Sequence, residues 1–279
     1  MRIGCFALIE PFSNMERQFE RIHEMGFDEV DLTDNHDGAT LGVEYGFSAS
    51  ISLECHPQEI RQMLSAHELT LSSVCAHANL LDPASPARYQ TAQIIKAIKL
   101  AHYLGVKQVI TTEGEPRTDF GRRLTYEQQL FAIADKLHEP IRWAEEFSIE
   151  LLIEPHGPLT DSLEGMQAIL DLLDHRLIGL NLDTGNVWLG GGDPVEFVHR
   201  FGSRIKHVHW KDLGPEWESK RGKQFGCGMG SIPLGDGKVP VRKTCAALRK
   251  IGFSGPTTLE VAGTKSVQES VLRLKAWDG

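Results

Sequence analysis

The fold class predicted by this 279-residue chain is a (β/α)8 barrel, an α/β fold in one domain. Three observations predict it. Short apolar runs rich in β-branched residues alternate with amphipathic stretches along the whole chain, the pattern of parallel strands joined by crossover helices. Three helix-to-strand junctions share one punctuation, Met25-Gly26-Phe27, Leu104-Gly105-Val106 and Ile251-Gly252-Phe253, with glycine between the helix and the next strand. Four of the later runs end in carboxylates or an imidazole, at the strand ends where barrels build their sites.

The first run is Ile3 to Ile9, ahead of Glu10-Pro11, and Asn14 to Met25 follows with Met15, Phe19, Ile22 and Met25 at helical spacing. Further strands are expected at Glu29–Thr33, Leu69–Cys75, Lys107–Thr112, Ile149–Glu154, Ile178–Leu182, Ile205–Trp210 and Thr257–Val261. Helices are expected between them at Pro57–His67, Ala87–Leu104, Thr125–Phe147, Ser162–Asp174, Asp193–Phe201 and Val239–Ile251, with a closing helix from about Ser266. Eight strands alternating with eight helices in a chain of this length argue for closure into a barrel, with a doubly wound open sheet as the competing topology. No linker or low-complexity tract divides the chain, so residues 1–279 read as one domain. Two loops are longer than a barrel needs: Asp34 to His56, and Leu213 to Lys238, the second holding seven glycines from Gly214 through Gly237. Both follow strands, which puts them on the C-terminal rim, where long loops cover substrate.

Composition narrows the function classes. A hydrophobic content of 41% supports a sizeable core, and a formal charge of −9 without a basic run argues against a nucleic-acid partner. The five cysteines, Cys5, Cys55, Cys75, Cys227 and Cys245, are scattered, odd in number and free of C-x-x-C pairs, so they read as reduced thiols in the cytoplasm. Met1-Arg2 runs straight into a strand-like segment, and no apolar span is long enough for a bilayer. A soluble, cytoplasmic protein with no membrane partner is expected.

The chemistry lies in I-E-L-L-I-E-P-H-G, L-N-L-D-T-G-N, H-V-H-W-K-D and T-T-L-E-V-A-G, which place Glu154, Asp183, His209 and Glu260 at the ends of strands five to eight. Each alone reads equally well as a strand-end cap or a salt-bridge partner. Four at equivalent heights on neighbouring strands make an oxygen-rich site with one nitrogen, suited to Mn²⁺, Mg²⁺ or Co²⁺ and acceptable to Zn²⁺. A divalent cation also relieves the repulsion among three carboxylates.

These fragments, with the closing I-G-F-S-G-P-T-T-L-E, resemble the xylose-isomerase-like TIM-barrel superfamily of sugar isomerases and epimerases, to which inosose dehydratase and the AP-endonuclease branch also belong. The resemblance covers essentially the whole chain. It implies Glu154, Asp183, His209 and Glu260 as ligands of one divalent ion, Mn²⁺ first, with Glu154 and Glu260 also forming an acid/base pair on opposite faces of a substrate. Proton abstraction beside a carbonyl, with metal stabilisation of an enediolate, is chemistry this donor set can perform. Return of the proton to the other face gives epimerisation, and return to the neighbouring carbon gives isomerisation.

Further substrate contacts are expected from His77, Glu113, His156, Asn186 and Lys211, with a structural role equally open for His77 and Glu113 and a place behind the substrate contacts open for His156. His207, His209 and Lys211 alternate in the seventh strand and share a face; Lys211 either polarises a substrate oxygen or pairs with Asp212 or a barrel carboxylate. Asn186 stands where many members of the resembled family carry histidine. Trp188 and Trp217 offer apolar walls or core packing. Two lures are declined: Gly226-Cys227-Gly228-Met229-Gly230 lacks the strand-turn-helix context of a phosphate loop, and Thr33, Asn35, Asp37, Gly38 and Glu44 start a calcium-like spacing with threonine after a strand.

The leading expectation is a metal-dependent isomerase or epimerase acting on a ketose or keto-sugar, since no basic phosphate pocket is evident. A keto-polyol dehydratase of the inosose-dehydratase kind is the alternative. An AP-type endonuclease is disfavoured by Asn186 and the acidic charge, and a non-catalytic sugar-binding barrel by the intact ligand set. Partner expectations are a small-molecule sugar, with self-association into a homo-oligomer left open.

Overall fold

The structure is a computed structural model that describes residues 1–10, 13–33, 51–81, 89–116, 118–226 and 230–279. Asp34 to Ser50 of the long loop after the second strand lie outside the described residues, and with them most of the calcium-like spacing. So do Ala87, Cys227, Gly228 and Met229.

Eight parallel strands form a closed barrel in sequence order: β1 (Arg2–Phe6), β2 (Glu29–Thr33), β3 (Thr70–Ala76), β4 (Gln108–Thr112), β5 (Glu150–Glu154), β6 (Ile178–Asp183), β7 (Ile205–Trp210) and β8 (Pro256–Leu259). Closure is made by β1 against β8, with Arg2 opposite Pro256 and Cys5 opposite Leu259, which excludes the open-sheet topology. β1 ends earlier than the apolar run Ile3 to Ile9, because the chain turns where Leu8 N donates to Phe6 O at 2.7 Å.

The helices are α1 (Met15–Glu24), α2 (Pro57–Ala66), α3 (Tyr89–Leu104), α4 (Asp119–Arg122), α5 (Tyr126–Phe147), α6 (Leu163–Leu173), α7 (Thr184–Leu189), α8 (Pro194–Phe201), α9 (Val241–Lys250) and α10 (Thr264–Asp278). Capping explains several starts. Asn14, Thr125, Ser162 and Asp193 each accept a backbone N–H of the following turn through the side chain, and Thr125 with Gln128 completes a capping box. The three junction glycines do end helices in the left-handed region, at φ of 81°, 77° and 73° for Gly26, Gly105 and Gly252. Two short rim helices, α4 and α7, were not expected; α7 exists because Asp183 caps it, accepting from Asn186 N at 2.8 Å.

The large apolar core lies between barrel and helices, with Phe19, Ile22, Ile94, Ile98, Leu137, Met166, Phe197 and Leu248 facing strand residues such as Val30, Val109, Leu151 and Leu180. A smaller apolar cluster, Phe6, Leu8, Cys75, Ile110 and Leu152, is set apart from it. Strand alternation separates the two sets, so the face of β5 that carries Leu152 also carries Glu154. Asp31, Asn181, His207, His209 and Thr258 are equally buried, which gives the strands β2, β6, β7 and β8 a polar inner face.

Candidate metal centre

Glu154 and Asp183 are the last residues of β5 and β6, and His209 is next to last in β7. Glu260 lies one step past β8, held in line with it by Glu260 N donating to Trp210 O at 3.1 Å. One ligand atom from each of these four buried residues lies within 4.8 Å of all the others. The expected cluster therefore forms as a single constellation.

Hydrogen bonds orient each member. Asn181 Nδ2 and Asn186 Nδ2 donate to the two oxygens of Glu154 at 2.9 and 3.1 Å. Asp183 uses Oδ1 to cap α7, while Oδ2 accepts no hydrogen bond among the described residues and lies 3.1 Å from Lys211 Nζ. Lys211, itself buried, pairs with Glu260 Oε1 at 2.8 Å. His209 Nε2 faces Asp31 Oδ2 at 3.1 Å, which turns Nδ1 toward Glu154 Oε2 at 3.3 Å and Glu260 Oε2 at 3.4 Å. Nδ1 is buried and has no hydrogen-bond partner among the described residues.

An imidazole nitrogen aimed between two carboxylates, with a third carboxylate beside them, is a donor set for a divalent cation. The residues present fit such an ion. The electrostatics agree. Burial raises the Asp183 carboxyl to about 7, with Lys211 opposing and Glu260 and Glu154 adding to the rise. Burial also disfavours ionised Glu260, but Lys211 and His209 outweigh it and hold that carboxyl well below its ordinary range. Burial opposes a charged His209 as well, yet the charge of Glu154, the hydrogen bond to Asp31 and the nearby Glu260 carboxylate keep a proton on the ring well above the usual range. A cation among the four side chains would take the place of that proton on Nδ1.

The other expected site residues separate. Asn186 and Lys211 join the cluster, and Lys211 pairs with Asp183 and Glu260 rather than Asp212. Asp212 instead accepts the backbone N–H groups of Leu213, Gly235, Gly237 and Val239 at 2.7 to 3.0 Å, anchoring the loop after β7. His77 sits just past β3 with Nδ1 3.0 Å from Thr33 Oγ1, close enough for its charge to act on Glu154. His156 is half-buried, and its ring packs against Gly226, where the backbone has φ +78° and a side chain would strike the imidazole. The rim loop after β7 therefore touches the loop after β5. Arg221 fastens the same loop to α7, donating to Trp188 O, Gly191 O and Gly192 O at 2.9 to 3.2 Å and lying over the Trp188 ring. Trp188 is buried, and Lys220 stands over Trp217.

Glu113 is spent on the backbone. Its carboxylate accepts Leu159 N at 3.1 Å, Thr160 N at 2.7 Å and Thr160 Oγ1 at 2.8 Å, holding the loop that follows Glu154. Burial pushes this carboxyl up to about 7 despite those donors. Between the ordinary value of 4.5 and about 7 the folded chain thus holds a proton that the unfolded chain has released. The resulting stabilisation, about 3 kcal/mol, is complete below the unfolded value and lost as pH rises through 7. Thermal melts from pH 5 to 8 should show wild type losing stability relative to Glu113→Gln; parallel curves would refute this assignment.

Three residues of the site were not anticipated. Asp31 touches both His207 and His209, Asn181 holds Glu154, and Gln108 orients His207 by accepting from Nδ1 at 2.9 Å while its own amide donates to Glu150 at 2.9 Å. The available signal was a lone polar side chain inside a buried strand: Asp31 between Val30 and Leu32, and Asn181 between Leu180 and Leu182.

A closed parallel barrel with carboxylates and an imidazole gathered at the C-terminal ends of consecutive strands defines a class, the barrel enzymes that place a metal site on that rim. The chain belongs to the xylose isomerase-like TIM barrel family, whose model matches residues 19–277. Among curated relatives, it is 31% identical over 142 residues to an inosose dehydratase of Geobacillus kaustophilus, covering 48% of this chain and about half, 46%, of that protein. It is 23% identical over 262 residues to an inosose dehydratase of Clostridium botulinum, covering 84% and 88% of the two chains. Solved structures with the same fold include the zinc-binding IOLI protein, at TM-score 0.77 and 15% identity over 100% of this chain and 98% of that one. Another is the 3-keto-D-glucoside 4-epimerase YcjR of E. coli, at TM-score 0.74 and 16% identity over 99% of each chain. Among the described residues no helix is long and apolar enough to cross a membrane.

Proposed function

We propose that this chain is a divalent-metal-dependent dehydratase of a keto-polyol or keto-sugar, removing a proton beside the carbonyl and expelling the oxygen on the next carbon. The observation that carries the reading is the asymmetric surroundings of the two glutamates inside one ligand set. Glu154 is held by two neutral amides, Asn181 and Asn186, whereas Glu260 is held by the ammonium of Lys211. Glu154, Asp183, His209 and Glu260 would hold the ion, which supplies charge stabilisation for the oxyanion formed on proton loss. Mn²⁺ is the first expectation, with Mg²⁺, Co²⁺ or Zn²⁺ acceptable to the same donors.

The residues divide the remaining work. Glu154 takes the proton from the carbon next to the carbonyl, and the C–H electrons pass into the carbonyl to give the enolate oxyanion; when it collapses back to the ketone, they form the carbon–carbon double bond to the neighbouring carbon as the C–O bond of that carbon breaks. Lys211, beside Glu260, gives the departing hydroxide its proton, so that water leaves and an unsaturated ketone or diketone remains. The names of the curated relatives support an inosose-like cyclic substrate. Epimerisation is the second reading, supported by the placement of Glu154 and Glu260 in one set: the same abstraction, with Glu260 returning a proton to the opposite face.

The test is a screen of inososes and keto-sugars with Mn²⁺-, Co²⁺- or Zn²⁺-loaded enzyme in D₂O, read by ultraviolet absorbance and mass spectrometry. Dehydration gives growing enone absorbance and loss of one water. Lys211→Met is expected to abolish water loss while leaving deuterium exchange beside the carbonyl. Exchange with an inverted centre and no water loss in wild type would replace dehydration by epimerisation, and no exchange with any substrate would sink both.

A further inference from the structure

Beneath the ligand set lies a contact that no part of the proposed reaction requires. Asp31 is in the middle of β2 and His209 is on β7, 178 residues away, yet both are fully buried and meet inside the barrel, Nε2 to Oδ2, at 3.1 Å. The carboxylate is itself fixed. Ser72 Oγ donates to Oδ1, and His207 Nε2 approaches Oδ2 at 3.1 Å. His207 is in turn held by Gln108 Oε1 and Thr258 Oγ1, each at 2.9 Å. Two edge-to-face ring contacts fix the His209 plane: Phe6 at 5.4 Å and 71°, and His207 at 5.3 Å and 88°.

A carboxylate only accepts. Opposite Nε2 it keeps a proton on Nε2, so that once a cation replaces the proton on Nδ1, the Nδ1 lone pair points between Glu154 and Glu260. Were the retained proton on Nδ1 instead, the ring would present N–H to the ligand set, which repels a cation, and a lone pair to Asp31, which repels the carboxylate. Without Asp31 the ring also loses the partner that stops it turning about its Cβ–Cγ bond.

We propose that Asp31 is the positioning residue of the metal centre, setting the tautomer and angle of His209 from the far side of the barrel. This rests on the reading of Glu154, Asp183, His209 and Glu260 as metal ligands. Loss of such an outer partner typically weakens a metal site by about 10- to 100-fold.

Calorimetric titration of Mn²⁺ and Zn²⁺ into the chelator-treated full chain tests it with Asp31→Leu and Asp31→Asn. The first removes the acceptor, with an expected loss of about 100-fold in affinity. The second keeps one acceptor oxygen without the charge, with an expected loss of about 10-fold. In Zn²⁺-loaded wild type, ¹⁵N NMR is expected to show a slowly exchanging proton on His209 Nε2, and in Asp31→Leu that proton should exchange fast or vanish. If Asp31→Leu fails to fold, Asp31→Asn carries both measurements. Wild type binding one ion with folded variants binding it equally well would overturn the role of Asp31 alone. Wild type binding no ion would overturn the metal reading itself. A second ion lost specifically with Asp31 would make it a ligand and overturn the hydrogen-bond role.

Discussion

Glu154→Gln is expected to lower kcat by about 10²- to 10⁴-fold at saturating metal, the usual contribution of a positioned proton-transfer group. The replacement has nearly the same volume and keeps one oxygen within reach of Asn181 and Asn186, so the fold should hold while the base is gone. Glu260→Gln should cost turnover on the same scale and also destabilise the chain. It leaves the buried Lys211 ammonium with Asp183 as its remaining carboxylate partner in the ligand set, and uncompensated buried charge is expensive. Deuterium exchange beside the carbonyl, metal content and melting temperature should be measured together. Undiminished exchange in Glu154→Gln with metal bound would remove Glu154 from its role as base.

The second large effect falls on metal affinity. His209→Ala should weaken binding of the ion by more than about 100-fold, beyond the range expected for an outer partner, because it deletes the only nitrogen donor of the set. Asp183→Asn separates two jobs of one side chain. Asparagine caps helices as well as aspartate does, so α7 should remain, while the anionic ligand is lost. Asp183→Ala should add about 1 kcal/mol of destabilisation from the missing cap. A tightly bound ion stabilises the folded state by about 2.7 kcal/mol at one hundred times its dissociation constant, so the metal-induced rise in melting temperature should disappear in His209→Ala and Asp183→Asn. A normal metal-induced shift in both variants would show that the ion, if bound, sits elsewhere.

Much of this site could be read along the chain because of what a strand does to its residues. In a parallel barrel every strand points its C-terminal end to the same rim, so a polar residue closing an apolar run reports its position in space as well as in sequence. Glu154 and Asp183 close such runs, Glu260 directly follows one and His209 stands one residue before the end of its own, and they meet. Lys211 was legible as facing inward, but its partner was not. Asp212 is adjacent in sequence, whereas Asp183 and Glu260 approach only once β6 and β8 flank β7. Glu113 stayed open between a pocket wall and a structural role for a related reason: it follows a strand as the ligands do, but the loop after β5 presents Leu159 and Thr160 amides to it, and it turns to them.

By itself the sequence determined the alternation of strands and helices, the glycine-marked junctions, and the identity of the four clustered groups and the rim they share. These follow from local periodicity and chain direction, which are properties of neighbouring residues. The tertiary structure alone decided that Asp31 reaches His209 across the barrel, that Lys211 joins the carboxylates, that Glu113 braces a loop, and that Asp183 starts a short helix instead of a loop. Each of these depends on barrel closure, which brings β1 against β8 and places side chains far apart in the chain within hydrogen-bonding distance.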